Sequence, residues 1–514
     1  MYEENIQNNL KKIKLIYILF LIFSSFIQIF IIKNYDNILS LVFVIASNLL
    51  IYWYCLNFNN IKNNPISTFS LIFTNFYTNS SSIFLKSAYL KPIDENLYDP
   101  NKTFLFLFLV NLLFIIIHLT YKKIFFFNNL KIKINKILKY ISNHQSINKK
   151  LLIYIGLVSL IYSAIGVTFF AEIIYADNKS GPNLAGDIIN GIKVFYMAPF
   201  IVLYTQKEYN FKIDKNDFFL IFVSLLIVIY LSLGLNSRSS FFDIIFNGLL
   251  IYSFLIFTGK IEIKVLRFNK IILIVLLSIY VGNYIEKFSE TYIDVRNERL
   301  STNPIFNIKN HLKTFTLSNA KDNYVHISKE IFNEQYYSVN ILNRLNVIKA
   351  TDNILYAKKY LSKNQINNLL DYEIGKMISI LPGPLIKIFD QSFDKNVYLG
   401  FTLTSKAYME VDKLYNSGKD NGLVFAILFL YENFYMNIAY FIIVILSFCI
   451  LDAFRDKENY FILFFVLMYA TSGGLINIVS SGSIADLSLT LFRIIPQSLI
   501  IFYLFNFFYS KLSR

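Results

Sequence analysis

The chain has 514 residues, 55% of them hydrophobic, 18% aromatic and only 16% charged, whereas soluble proteins carry about a quarter charged residues. That balance excludes a string of soluble domains. Its two cysteines, Cys55 and Cys449, both lie inside apolar runs, which excludes a disulfide scaffold and marks them as small core hydrophobes. A formal charge of +15 would suit nucleic acid, so its placement along the chain decides what it means.

The first apolar run, 15–32, has no small-residue cleavage site behind it and is followed at once by a second, 38–56, so it reads as a retained span and not a signal peptide. Further runs occupy 104–119, 151–176, 188–204, 218–235, 241–258, 271–284, 434–451, 461–479 and 487–508. The stretch 66–85 is ambiguous, because Asn75, Thr78, Asn79 and three consecutive serines break its hydropathy. Parity decides it. Lys11, Lys12 and Lys14 mark the amino-terminal segment as cytoplasmic, and the loop 121–150 carries eight lysines and no acid, so an even number of spans separates the two. Counting 66–85 as a crossing gives that even number.

Later loops pass the same test through Lys260, Lys264, Arg267 and Lys270, then Arg455 and Lys457, then Lys511 and Arg514. The expected protein is an all-α polytopic membrane protein of about 12 transmembrane helices with both termini cytoplasmic. Of the basic residues, 23 fall in cytoplasmic segments against six in short outer loops. Topogenic charge and attraction to anionic lipid therefore explain the basic balance, and nucleic acid is not an expected partner. The organisation reads as spans 1–9 over 1–287, one large and mostly helical extracytoplasmic loop over 288–421, and an interfacial segment with spans 10–12 over 422–514. Within the loop, 328–350 and 362–380 carry apolar residues at helical steps, with Ser362 and Gln365 as a capping box and Pro382 and Pro384 beyond the second helix. The run 423–431 is too short to span.

Arginines within or beside a membrane are costly unless partnered, so each is a functional candidate. Arg238 sits in the outer turn Asn236-Ser237-Arg238-Ser239-Ser240, beside a helix expected to start with a Ser240–Asp243 cap. A guanidinium beside helix N–H groups suits phosphate; alternatively, Arg238 marks the water boundary and pairs with Asp243. Arg493 lies seven residues past Asp486, roughly 10 Å along the last span, with Pro496 just beyond to loosen that helix. Its structural alternative is an interhelical ion pair or snorkelling. Small polar residues at 472–474 and 480–483 read as close packing or a wet cavity wall. In the loop, Asp294, Arg296, Glu298 and Arg299 cluster after the ninth span, Arg344 follows, and Glu410 and Asp412 precede the tenth. No phosphate-binding glycine loop, Cys/His metal spacing or Asp-x-Asp pair occurs, and His118, His144, His311 and His326 share no ligand spacing. No metal and no cofactor are expected.

With these residues in place the chain resembles the bacterial oligosaccharide repeat-unit polymerases of O-antigen and capsule assembly, the Wzy type. The resemblance covers the chain by topology and about forty residues by motif. The turn around Arg238 is similar to a small-polar-Arg-Ser turn of that family. Arg344-Leu345-Asn346 followed by Leu381-Pro382 resembles its Arg-Leu-Asp and Ile-Pro, with Asn346 where the family has an acid. Glu410, Asn416, Gly418 and Gly422 resemble its loop exit.

The resemblance implies a metal-independent glycosyltransferase in the bacterial cytoplasmic (inner) membrane. It would join undecaprenyl-pyrophosphate-linked oligosaccharides into O-antigen or capsular polysaccharide on the outer face, with membrane lipid and a chain-length regulator as further partners. Arg238, Arg493, Arg296 and Arg299 are then the cations for pyrophosphate, Glu410 and Asp294 the catalytic carboxylates, and Arg344 and Tyr292 the glycan contacts. Tyr336 and Tyr337 are further tyrosines that could stack on sugars or pack the loop. Two alternatives remain. An O-antigen ligase-type transferase would carry a loop His-Asn, which His311-Leu312 and His326-Ile327 do not match. A lipid-linked glycan flippase or transporter would show inverted repeats and short loops.

Overall fold

The protein begins as a helix, α1 (Tyr2–Phe26), prolonged by a π turn at Ile27–Ile31. The run at 15–32 marks only its apolar part. The helix starts earlier because Glu3 and Glu4 occupy its positive first turn and because Ile6, Asn9 and Leu10 are buried. Asn9 accounts for much of that docking: its amide donates to the carbonyls of Ile256 (2.8 Å) and Ile261 (2.7 Å) and accepts from the N–H of Ile263 (2.9 Å).

The computed structural model describes residues 2–32, 38–143, 148–169, 191–234, 239–263, 309, 348–381, 383–399, 402–412, 434–456, 459–468 and 483–512. After α1 come α2 (Ile38–Cys55) and the short α3 (Phe58–Asn63). The ambiguous polar stretch is helical throughout, as α4 (Pro65–Asn75), a π turn (Phe76–Ser80) and α5 (Ser81–Ala88). At about 1.5 Å per residue it is roughly 36 Å long, against ~30 Å of bilayer hydrocarbon. Next are α6 (Pro100–Lys123), α7 (Phe125–Asn143), α8 (Lys149–Phe169), α9 (Ala198–Tyr204), α10 (Gln206–Tyr209), α11 (Lys215–Gly234) and α12 (Ser239–Phe257). The expected loop contributes α13 (Ile348–Lys358), α14 (Lys363–Ile378), α15 (Gly383–Phe389), α16 (Asn396–Leu399) and α17 (Leu403–Val411). The chain continues with α18 (Phe434–Ala453), a hairpin of β1 (Arg455–Asp456) and β2 (Asn459–Tyr460), and α19 (Ile462–Leu467). It finishes with α20 (Ile484–Leu489), a π turn (Thr490–Ile494) and α21 (Ile495–Leu512).

Among the described residues six helices are long and apolar enough to cross a membrane: Glu3–Ile31, Ile38–Cys55, Pro100–Lys123, Lys215–Leu233, Phe434–Ala453 and Ile484–Lys511. The runs expected at 188–204 and 241–258 appear as shorter apolar helices, Lys193–Tyr204 and Ile244–Phe257. The run 271–284 and most of 461–479 lie outside the described residues, as do 328–347 and 423–431. Polarity is distributed as lipid requires. Leu19, Phe20, Ile22 and Phe23 are more than half exposed on α1, and Trp53 is 75% exposed on α2, an apolar flank that water would not tolerate. Ser47, Asn48, Ser67, Asn75, Asn79 and Ser80 are buried instead, as expected where small and polar side chains hold helices together without a hydrophobic drive. The protein is therefore an all-α membrane protein, its β hairpin apart.

Contacts between distant segments sort onto two ends of the bundle. At one end, rich in lysine, Asn135 of α7 donates to the carbonyls of Ala453 (2.8 Å) and Arg455 (2.6 Å), Lys131 reaches Asn64 (3.2 Å), Lys139 pairs with Asp456 (3.1 Å), and Lys149 pairs with Asp217. At the other end Gln28 donates to Ser87 and to the Lys91 carbonyl, both at 3.0 Å, and Ser40 donates to Asn101 (2.7 Å). Helices α13, α14 and α17 share a small separate core of Ile354, Ala357, Leu361, Ile366, Leu369 and Tyr408, while Ile348 joins the main core. This unit is seated at the second end.

Candidate functional site

Two anchors fix the helical unit to the bundle. One is Asp352 on α13, which is buried, accepts from the N–H of Tyr98 (2.8 Å), the N–H of Asp99 (3.1 Å) and Thr103 Oγ1 (3.1 Å), and pairs with Lys349 Nζ (3.0 Å). The other is α14. It starts at the capping box read from sequence: Gln365 N–H donates to Ser362 Oγ (3.4 Å) and the Ser362 N–H donates to Gln365 Oε1 (2.9 Å). The same Gln365 amide donates to the Glu410 carbonyl (3.1 Å) and to its Oε2 (3.2 Å). Glu410 is thus exposed on α17 but held in place.

Two turns further along, α14 presents Glu373, which no motif or spacing singles out. Its buried carboxylate accepts from the Ala485 N–H (2.8 Å) and from Ser483 Oγ (2.9 and 3.2 Å). Ser483 is itself the N-cap of α20 and accepts from the Asp486 N–H (3.2 Å). The carboxylate therefore sits at the positive end of the long helix Ile484–Lys511, where the free N–H groups and the dipole favour an anion. Lys376, one turn beyond Glu373, pairs with Asp486 (3.0 Å). Burial pushes the Glu373 carboxyl above the usual carboxylate range; the Ala485 N–H opposes this, Asp486 adds to it, and Lys376 and Ser483 oppose it.

Arg493 belongs to the same helix. It lies in the π turn Thr490–Ile494, half-buried, on the order of 15 Å along the axis from the Ser483 cap. The N–H of Ile495 reaches back to the Thr490 carbonyl to close that turn. Pro496 has no N–H to donate and its ring crowds the preceding turn, so the wide turn just before it is the local distortion expected of this sequence. The arrangement places a cation part-way down a membrane-spanning helix whose mouth is closed by a carboxylate from a distant segment. Arg238, Tyr292, Asp294, Arg296, Arg299 and Arg344 lie outside the described residues.

A second polar constellation lies near the lysine-rich end. Asp452 accepts from the Ser67 N–H (3.0 Å), Ser67 Oγ (2.6 Å) and the Tyr121 hydroxyl (3.2 Å). Ser67 Oγ also lies 2.8 Å from His118 Nε2, and His118 Nδ1 lies 2.7 Å from the Tyr54 hydroxyl. The result is a continuous buried chain Asp452–Ser67–His118–Tyr54. Its members come from four segments, so no sequence spacing announces it. The available signal was a histidine and a carboxylate inside or beside apolar runs. Cys55 and Cys449 are free and buried.

The sequence matches no family model, no curated protein and no solved structure.

Proposed function

We propose that the protein is a membrane glycosyltransferase that polymerises lipid-linked oligosaccharide repeat units, with about twelve spans, both termini cytoplasmic and the helical unit 348–412 on the outer face of a bacterial cytoplasmic membrane. The observation that carries this reading is the junction at Glu373, Ser483 and Asp486, which seats a large polar helical unit on the mouth of the helix bearing Arg493. A transporter with short loops has no use for such a unit. A transferase that grips a lipid-anchored pyrophosphate in the membrane and a glycan above it needs both parts.

In this reading an acceptor hydroxyl oxygen bonds to the anomeric carbon of the donor glycan as the bond from that carbon to undecaprenyl pyrophosphate breaks. The leaving pyrophosphate takes the electron pair, and Arg493, with Arg238 and Arg296 or Arg299, offsets its charge. The hydroxyl proton passes to a carboxylate, Glu410 or Asp294. Glu373 is a positioning residue, since both its oxygens are committed to the junction. The test is extension of purified lipid-linked repeat units by the purified protein. Arg493→Ala is expected to abolish extension; monomers left untouched by the wild-type protein would sink the proposal.

A second reading, a flippase for the same lipid-linked glycans, is favoured by the buried Asp452–Ser67–His118–Tyr54 chain, because ionisable groups among apolar helices often serve proton-coupled transport. Cells separate the two. Loss of a polymerase leaves single-repeat glycans on a gel, whereas loss of a flippase leaves none. A ligase-type transferase differs again, since its loss leaves long chains unattached to their final carrier.

A further inference from the structure

Helix α7 (Phe125–Asn143) carries four lysines and no acid, so it is not among the helices apolar enough to cross a membrane. Its depth is fixed by the helices that are. A single residue, Ile124, separates it from the end of α6 at Lys123. Cys449 Sγ, in the last turn of α18, donates to the Phe127 carbonyl (3.4 Å), and Asn135 donates to the carbonyls of Ala453, where α18 ends, and of Arg455 beyond it. Lys131 reaches Asn64, the residue before α4, and Lys139 pairs with Asp456 in the hairpin. Helix α7 therefore lies across the lysine-rich end, at the level where α6 and α18 leave the bilayer hydrocarbon.

One side of α7 faces the protein. Phe127, Leu130, Ile134, Leu138 and Ile141, at three- and four-residue steps, pack on the main core. The other side, at the same steps, is open. There Phe125 is 75% and Phe126 65% exposed, Ile132 and Ile137 are more than half exposed, and Lys133 and Lys136 are exposed between them. Lys123, at the end of α6, is exposed beside this arc in sequence. Among the described residues, Lys123, Lys133 and Lys136 meet no carboxylate, hydrogen-bond acceptor or aromatic ring. Their neighbours Lys122, Lys131 and Lys139 are spent on Asn60, Asn64 and Asp456. Three cations are thus unmatched, in a stretch from 121 to 150 that has no acid.

Water suits those lysines but not the phenylalanines and isoleucines among them, and hydrocarbon suits the reverse. The headgroup layer suits both, because apolar side chains can enter the acyl region while lysine stems lie along it and carry their ammonium groups outward. An acidic soluble partner would match the charge and leave unexplained why the rings stand at the level of the hydrocarbon boundary. We propose that the exposed arc of α7 is a docking surface for anionic phospholipid. Acyl chains cover Phe125, Phe126, Ile132 and Ile137, and negatively charged headgroups pair with Lys123, Lys133 and Lys136. The inference needs α6 and α18 to cross the membrane and is independent of the transferase reading.

The experiment uses the full chain in vesicles of equal parts phosphatidylcholine and phosphatidylglycerol, with bromine on the acyl chains of one lipid or the other. Trp53 is the sole tryptophan, so Trp53→Phe silences the protein and Ile137→Trp places a fluorescent reporter on the exposed arc. Brominated phosphatidylglycerol is expected to quench the reporter more strongly than brominated phosphatidylcholine. A lysine near an anionic surface is worth about a fivefold change in association, so Lys123→Gln, Lys133→Gln and Lys136→Gln combined should abolish the difference while quenching itself persists. These side chains are exposed and unpaired among the described residues, so an unchanged melting temperature will show that the fold is intact. No quenching by either lipid would mean that water or another protein covers the arc. Equal quenching by the two lipids would remove the headgroup preference, and a preference undiminished in the triple variant would remove the lysines. Each of these three outcomes would overturn the surface.

Discussion

Glu373 shows how far a single carboxyl can govern the loop. Burial raises its pKa when folded, against the opposing pull of the Ala485 N–H. Its contribution to stability is complete below the unfolded value of about 4.3 and is lost as pH rises through the raised folded value. Thermal unfolding in detergent should therefore show the wild-type protein gaining stability on acidification relative to Glu373→Gln, which has no proton to bind. Identical pH profiles would remove the carboxyl from the account. Arg493 makes a different demand. If it holds a pyrophosphate with its planar fork, Arg493→Lys should keep the charge yet lose most of the extension activity, because an ammonium cannot make two parallel bonds; full activity in the lysine variant would reduce its role to that of a point charge. Arg493 was legible in sequence as a charge stranded in an apolar run. Glu373 was not, because on α14 it looks like any solvated acid and its partners lie more than a hundred positions away.

Among the elements, the helix over 65–88 shows best what counting could and could not supply. Charge parity leads to the expectation of a crossing there despite its polar composition; the segment is helical and long enough, but it is not among the six helices that are also apolar enough to cross. What parity could not give is the purpose of the polar residues. Asn75 accepts from Asn111 (2.9 Å) and Asn79 (3.2 Å) and donates to Asn48 (3.1 Å) and Ser80 (3.2 Å), so this helix is bonded to α2 and α6 from within. Asn75→Leu should cost about 1 kcal/mol or more, within the range for intramembrane hydrogen bonds and unpaired buried groups, read as a lower melting temperature in detergent. An unchanged value would mean that Asn48 and Asn111 find other partners. The capping box at Ser362 was also legible, since it is a local signal. That α13 runs to Lys358, past the end expected at 350, was not, because the Asp352 anchor that places α13 depends on residues 98–103.

For the whole molecule, the sorting of contacts onto two ends carries the topology. The proposed topology has the lysine-rich end in the cytoplasm, and the distant contacts put 57–64, 131–139 and 453–456 together at that end and 28, 87–103, 348–376 and 483–486 at the other. Orientation can be measured directly because Cys55 and Cys449 are buried and silent to a membrane-impermeant thiol reagent. Tyr360→Cys should label in intact cells and Lys136→Cys only after permeabilisation; the reverse would invert the topology and with it the outward-facing transferase. Function was less legible than fold. Most of the arginines and acids named from sequence belong to segments outside the described residues.

The Glu373 junction also sets an order of assembly. The ribosome makes the helical unit well before Ser483, so in the proposed topology the nascent unit is delivered across the membrane with its anchoring carboxylate unsatisfied. Only insertion of the final helix supplies the N–H and hydroxyl that hold it. In that topology the helix Ile484–Lys511 is the latch of the unit, and a chain stalled or truncated before it would leave the unit tethered but open to proteases.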